Sequence, residues 1–196
     1  MRVAYIKPTS EGKRFIVGVD SGEKKQKYNI SSSLYLSLGL SRGDELDEGT
    51  AELLIEDNAR YSCMRSALSF LSYADNNKRT LYMKLLRRGY DRTIINETVE
   101  ECVRLGYINE DDQIERAILK EAVKLYGRAY IFKKLTSKGY SASMVNRAFE
   151  ELIQRGDVDF SANLQTLLYK KGCESDEERK KLMHKYGYLT RDFYDD

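Results

Sequence analysis

The sequence predicts a mainly α-helical protein: tandem three-helix repeats in an elongated, curved array, behind a small N-terminal domain of three β-strands and a helix. Three observations lead there. Residues 78–106, moved forward by fifty positions, fall on residues 128–156 without a gap, so that Lys84 meets Lys134, Leu85 meets Leu135, Gly89-Tyr90 meets Gly139-Tyr140 and Gly106 meets Gly156. A fixed period of this size marks stacked helical modules, which build long surfaces more readily than deep pockets. The lone proline, Pro8, leaves almost nothing to interrupt helices after the first residues. The first thirty residues alone alternate in the manner of strands.

The elements follow in order. Val3 and Tyr5, then Phe15-Ile16-Val17 with Val19, then Gln26–Ile30 read as strands, divided by the turn-prone Pro8–Gly12 and Asp20-Ser21-Gly22. Such a meander needs a helix on one face to be stable. Ser31–Ser33 supplies an N-cap for a short helix through Leu34, Leu36 and Leu38, which Gly39 stops. A longer helix runs from about Asp47 to Tyr73, with Leu53, Leu54, Met64, Ala67, Leu68 and Leu71 as its apolar positions. Asp75-Asn76-Asn77 breaks the chain before the repeats.

Each repeat reads as helix, tight turn, helix, turn, helix. In the first, Leu81, Tyr82, Leu85 and Leu86 form one face, and Gly89 ends the helix. Asp91 caps a second helix bearing Ile94, Ile95, Thr98, Val99, Cys102 and Val103, a broad buried stripe that Gly106 stops. Asn109–Asp112 opens a third, with Ile114, Ala117, Ile118, Ala122 and Val123. The second repeat copies this, with Ser141 in place of Asp91 and with Leu164, Leu167 and Leu168 in its third helix. Glycine past a helix end takes the left-handed conformation at little cost, and the tyrosine behind it locks the turn. A third pair, Gly187-Tyr188, follows a helix-like Asp176–Tyr186. The expected division is thus an extension and linking helix over 1–74, repeats over 75–125 and 126–172, and a truncated third repeat over 173–196.

Composition narrows the function classes. The three cysteines, Cys63, Cys102 and Cys173, are far apart and form no Cys-x-x-Cys pair, and Cys102 holds the repeat position of Leu152, which points to a core role. His184, the single histidine, has no ligand-type neighbours, so neither metal nor cofactor is expected. The paired Glu100-Glu101 and Glu150-Glu151 point about 100° apart on a helix and suit solvated faces better than acid/base work. Neither a phosphate-binding Gly-rich loop nor a nucleophile elbow occurs, so an enzyme is not expected. No apolar run approaches the length of a membrane helix, and the start of the chain lacks the pattern of an export signal; a cytoplasmic monomer is the expectation. Residues 78–171 hold 18 cations against 13 carboxylates, while residues 1–77 hold 10 against 11 and residues 172–196 hold 5 against 7. That weak basic bias suits an acidic partner, or one that already holds nucleic acid.

The expected binding surface is therefore a basic strip. Lys84, Arg87 and Arg88 lie at i, i+3 and i+4, away from the apolar face, and Lys133, Lys134 and Lys138 recur one period later, with Arg79 and Arg128 at the helix starts. Stacked modules would align these cations along one edge, suited to phosphates or a carboxylate-rich groove; a solvated helix face is the plainer reading. Tyr82, Tyr90, Tyr130 and Tyr140 could stack on bases, but their repeat positions favour packing.

Leu85-Leu86-Arg87-Arg88-Gly89-Tyr90, then Leu105-Gly106-Tyr107-Ile108-Asn109-Glu110-Asp111, and the second copy through Tyr126-Gly127-Arg128 and Leu135–Tyr140 resemble the RecX family, bacterial regulators of the RecA recombinase. The N-terminal part, with Gly39–Leu46, is similar to the β extension of longer members. The resemblance implies a protein that docks in the groove of a RecA–DNA filament and lowers ATP hydrolysis, strand exchange and recombination, with a place in DNA repair and SOS control. Weak contact with single- or double-stranded DNA would accompany it; a direct DNA-binding repeat module without a recombinase partner is the alternative. Two departures stand out: Gln113-Ile114 lies where many members carry an aromatic residue, and Asp192, Asp195 and Asp196 make the last module less basic.

Overall fold

The structure, a computed structural model, describes residues 1–22, 24–173 and 175–189. Strands β1 (Arg2–Pro8), β2 (Arg14–Asp20) and β3 (Lys25–Ser31) form an antiparallel sheet in the order β1-β2-β3. Among the described residues the rest is helical: α1 (Ser32–Leu38), α2 (Glu48–Tyr73), α3 (Lys78–Arg87), α4 (Arg92–Arg104), α5 (Glu110–Ala122), α6 (Arg128–Ser137), α7 (Ala142–Gln154), α8 (Phe160–Lys171) and α9 (Asp176–Tyr186). The fold is mainly α with a small N-terminal three-stranded sheet, as the alternating strands and the repeat predicted. The chain divides into two compact units. The first is Met1–Ala74 with Tyr82–Arg104, and the second is Asp75–Leu81 with the described residues from Leu105 onward.

In the first unit, period-two alternation puts Val3, Val17, Val19, Tyr28 and Ile30 on one face of the sheet, where they are buried with Leu40, Leu46 and Leu54. Ser31 caps α1 by accepting the Leu34 N–H, and Gly39 ends it at φ 57°. The Asp47 carboxylate accepts the Thr50 N–H and starts α2. α2 then closes the edge of β3. Asp57 accepts the Ser31 N–H at 2.7 Å and pairs with Arg14 at 2.5 Å, while Asn58 Oδ1 accepts the Asn29 N–H at 2.9 Å. Its later turns bury Cys63, Ser66 and Ala67, and the helix packs on α4, where Met64 meets Cys102. One helix thus serves two partners, which explains its irregular apolar spacing. Leu53 and Leu68, expected in that stripe, are 45% and 36% exposed.

The second unit holds two apolar clusters. Ile114, Ile118 and Ala122 of α5, Ile131 and Leu135 of α6, and Val145, Ala148, Phe149 and Leu152 of α7 form one. Leu164 and Leu167 of α8, Met183 of α9 and Tyr188 form the other. α5 ends at Ala122, so Val123, expected in its stripe, is 83% exposed; Leu125 follows at a positive φ of 64°. The packing groups are phased one helix away from the fifty-residue period. α5, the third helix of the first repeat by sequence, packs with α6 and α7, and in the first unit α2 packs on α4 as α5 packs on α7. The repeat boundaries at 125/126 and 172/173 accordingly describe the sequence period.

Candidate partner-binding surface

The first helix of each repeat carries the candidate cations, and the glycine–tyrosine corner behind it sets where that helix stops. Gly89, Gly139 and Gly187 take φ of 83°, 99° and 80°. The tyrosines do more than close their own turns. Tyr90 Oη lies 2.8 Å from Ser66 Oγ and donates to the Ser62 carbonyl of α2, and Tyr140 Oη donates to Gln113 Oε1 of α5. Tyr188 Oη donates to the Leu125 carbonyl. Gln113 in turn donates to the Asn76 carbonyl and so ties the Tyr140 corner to the start of α3. Within the second unit a corner seats on the helix start one period earlier. Asn77 Nδ2 donates to the Lys138 carbonyl, Ala129 N–H to the Gly187 carbonyl, and Gly127 N–H to the Tyr186 carbonyl.

The eight predicted cations have different surroundings. In the first unit, Lys84 Nζ and the Arg88 guanidinium lie 5.3 and 4.6 Å from the centre of the Phe70 ring, and Arg88 also donates to Ser66 Oγ. Both lean on α2 through cation–π contact; Arg87 is exposed. In the second unit, the aliphatic stem of Arg79 covers Gly139, and Arg128 pairs with Glu150 at 2.7 Å while its guanidinium lies 5.0 Å over Phe149. Lys133 and Lys138 are exposed. Lys134 meets the buried Glu121 carboxylate.

Glu121 is the main residue that the sequence did not single out. It is 7% exposed, with Oε1 3.0 Å from Lys124 Nζ and Oε2 3.0 Å from Lys134 Nζ. The Lys134 approach is an ion contact whose angle falls short of a hydrogen bond. Burial acts to raise the Glu121 pKa, but the two ammonium groups outweigh it and hold the carboxyl below its ordinary value. The same contact holds Lys134 above the usual lysine value. Nearby, the rings of Tyr126 and Tyr130 stack at 4.0 Å and those of Tyr126 and Tyr186 at 5.3 Å, so Tyr130 is a packing residue.

Cys102 is fully buried, and His184 is exposed. Glu101, Glu150 and Glu151 pair with Arg104, Arg128 and Arg147. Ser141 stands at the N-cap of α7, but its hydroxyl meets Ser143 Oγ at 2.8 Å instead of the helix backbone, so it does not replace Asp91, which accepts the Thr93 N–H at 2.7 Å. Asp192, Asp195 and Asp196 lie outside the described residues. Among the described residues, no helix is long and apolar enough to cross a membrane.

No protein-family model matches the sequence. Among curated proteins, the chain is 25% identical over 100 residues to a protein named regulatory protein RecX from Bacillus mycoides (strain KBAB4). It is 26% identical over 99 residues to one of the same name from Clostridium tetani (strain Massachusetts / E88). Each match covers 50% of this chain, and 37% and 45% of those proteins, so the chain spans less than half the length of the curated relatives it matches. Among solved structures, a regulatory protein RecX superposes with a TM-score of 0.69 over 98% of this chain and 96% of its own, at 14% identity. RecX from Lactobacillus salivarius does so with a TM-score of 0.56 over 68% of this chain and 90% of its own, at 17% identity. At such identities the structures speak for the fold. Sequence likeness to proteins named RecX thus extends over half the chain, and fold likeness to RecX structures over nearly all of it.

Proposed function

We propose that the chain is a cytoplasmic, non-catalytic regulator that binds RecA nucleoprotein filaments and lowers their ATPase and strand exchange, with a role in recombination and repair. The observation that carries this reading is the agreement of sequence relatives and fold neighbours on RecX. The cations of α3 and α6 supply the contacts. Arg87 in the first unit, and Lys133 and Lys138 in the second, are exposed and present charge to solvent. Each set is weak alone, and engaging both adds their affinities through effective concentration. Lys84, Arg88 and Lys134 contribute through their intramolecular partners, by fixing the helices that bear the exposed cations.

Co-sedimentation with RecA filaments on single-stranded DNA and a non-hydrolysable nucleotide tests the reading. The parent chain is expected to pellet with filaments and to slow ATP hydrolysis, and Arg87→Glu/Lys133→Glu/Lys138→Glu to lose roughly tenfold or more in both, with an unchanged melting temperature. A parent that stays in the supernatant sinks the function. A folded triple variant that still suppresses ATPase sinks the surface. The choice of exposed cations matters: a glutamate at Lys134 would face Glu121 and destabilise the unit for reasons unrelated to binding.

A further inference from the structure

The register of the sheet sorts its side chains into two faces of opposite character. The inner face is apolar. On the outer face, neighbouring rows read Arg2–Asp20–Lys25, Tyr5–Gly18–Lys27, Lys7–Ile16–Asn29 and Arg14–Ser31. Five cations thus share a face with two carboxylates, Asp20, whose Oδ1 accepts the Gly22 N–H, and Glu45, which bridges to Arg2 at the edge beside β1. Arg14 is committed to Asp57 and Asn29, and Arg2 to the Gly43 carbonyl. Lys7, Lys25 and Lys27 are exposed.

At the centre lies an aromatic ring on a glycine. A Cβ built at Gly18 would fall 2.2 to 2.7 Å from three atoms of the Tyr5 ring, so the ring rests directly on the β2 backbone and only glycine permits it. Tyr5 is half-buried, the Lys7 ammonium lies over its ring at 5.4 Å from the centre, where it can swing aside to a phosphate, and Lys27 stands across the same row. An immobilised aromatic surface bordered by cations is what a single-stranded nucleic acid requires: an unpaired base stacks on the ring, and the phosphates on either side meet ammonium groups. Half-buried Ile16, one row away, extends the apolar floor.

We propose that this outer sheet face binds single-stranded nucleic acid, with Tyr5 as the base platform and Lys7, Lys25 and Lys27 as phosphate contacts. The site lies wholly in the first unit, is separate from the cations of α3 and α6, and works without a recombinase. Duplex is disfavoured because its bases are already stacked and cannot reach a single ring lying flat on a sheet.

Fluorescence anisotropy of the full chain with labelled oligo(dT) of about 15 nucleotides, across a salt series and without RecA, tests it. The parent is expected to bind oligo(dT) more tightly than a duplex of equal length. Lys7→Gln/Lys25→Gln/Lys27→Gln should weaken binding at least tenfold and flatten the log–log salt slope by about 2, near 0.7 for each phosphate no longer neutralised. Tyr5→Leu should weaken it roughly fivefold or more, while Tyr5→Phe, which keeps the ring, stays near the parent. The lysine variant leaves the apolar face intact and keeps the experiment decisive should Tyr5→Leu unfold. A parent that ignores oligo(dT) or prefers duplex, a folded lysine variant that binds as the parent does, or an equal loss from the Arg87/Lys133/Lys138 triple would each overturn the proposal. Filament co-sedimentation is read separately, so either idea can fail alone.

Discussion

Lys84 in the first unit and Lys134 in the second hold the same repeat position, and the fold spends them differently. Lys84 rests over the Phe70 ring, whereas Lys134 meets the carboxylate of Glu121, which is 7% exposed. The corners diverge as well. Gly89 has open space where a Cβ would go, Gly139 has the flexible stem of Arg79, and Gly187 has the backbone of Tyr130. A fixed period therefore specifies backbone geometry, namely where helices end and which positions are apolar. It leaves the partner of each side chain to the particular neighbour.

The corners offer the largest test of that difference. All three glycines need a left-handed backbone, which costs a substituted residue about 1–2 kcal/mol. Gly89→Ala is expected to cost only that. Gly139→Ala adds a displacement of Arg79, which can move. Gly187→Ala sets a Cβ 2.3 Å from the Tyr130 nitrogen, against the Gly187–Ala129 and Tyr186–Gly127 hydrogen bonds, and should cost several kcal/mol. Urea unfolding of the three variants should rank them in that order; equal midpoints would mean that the corners are equivalent after all.

The two lysines come next. Lys134→Met leaves Glu121 buried with Lys124 alone and should cost roughly 1–2 kcal/mol, held down because Lys134 itself is about a third exposed. Lys84→Met keeps an apolar contact with Phe70 and should cost under about 1 kcal/mol. Acid sharpens the contrast. Glu121 has a folded pKa below its unfolded one, so its stabilising contribution is present above the ordinary glutamate value of 4.5 and is lost as pH falls through the depressed value. Lys134 is shifted the other way, so its share persists below 10.5 and fades as pH rises through its elevated value. Wild type should therefore lose more stability on acidification than Glu121→Gln. A wild type whose acid profile overlays that of the variant would show the pair to be inert.

What could be read from residues alone follows the same line. Caps and stops lie in local sequence: Ser31 and Gly39 bound α1, Asp47 opens α2, and Ser175 caps the α9 that Gly187 ends. The strands were legible because their core face alternates. Two things were not. α2 divides its apolar residues between the sheet and α4, so no single period fits it, and Leu53 and Leu68 looked like core. The charge of residues 1–77, with 10 cations against 11 carboxylates, looked slightly acidic because a tally ignores faces. Only the register, bulged between Val3 and Tyr5, puts Lys7, Lys25 and Lys27 on one side with Tyr5. The partners of the repeat cations were hidden likewise, since Phe70 and Glu121 belong to neighbouring helices and follow no spacing rule.

The smallest test compares the starts of α4 and α7, where one residue type was expected to stand in for the other. Asp91 accepts the Thr93 N–H at 2.7 Å, and this bond holds its carboxyl below the usual range. Ser141 occupies the matching place, yet its hydroxyl is turned to Ser143, and the first N–H groups of α7 gain nothing from it. Asp91→Ala should therefore lower the melting temperature by roughly 2–4 °C, the usual consequence of losing one N-cap. Ser141→Ala should barely move it, and Ser141→Asp should raise it, because a carboxylate at that site can reach the free N–H groups and complement the helix dipole. If Ser141→Ala proves as costly as Asp91→Ala, the hydroxyl caps α7 in solution, and the two repeats are more alike at this corner than their side chains indicate.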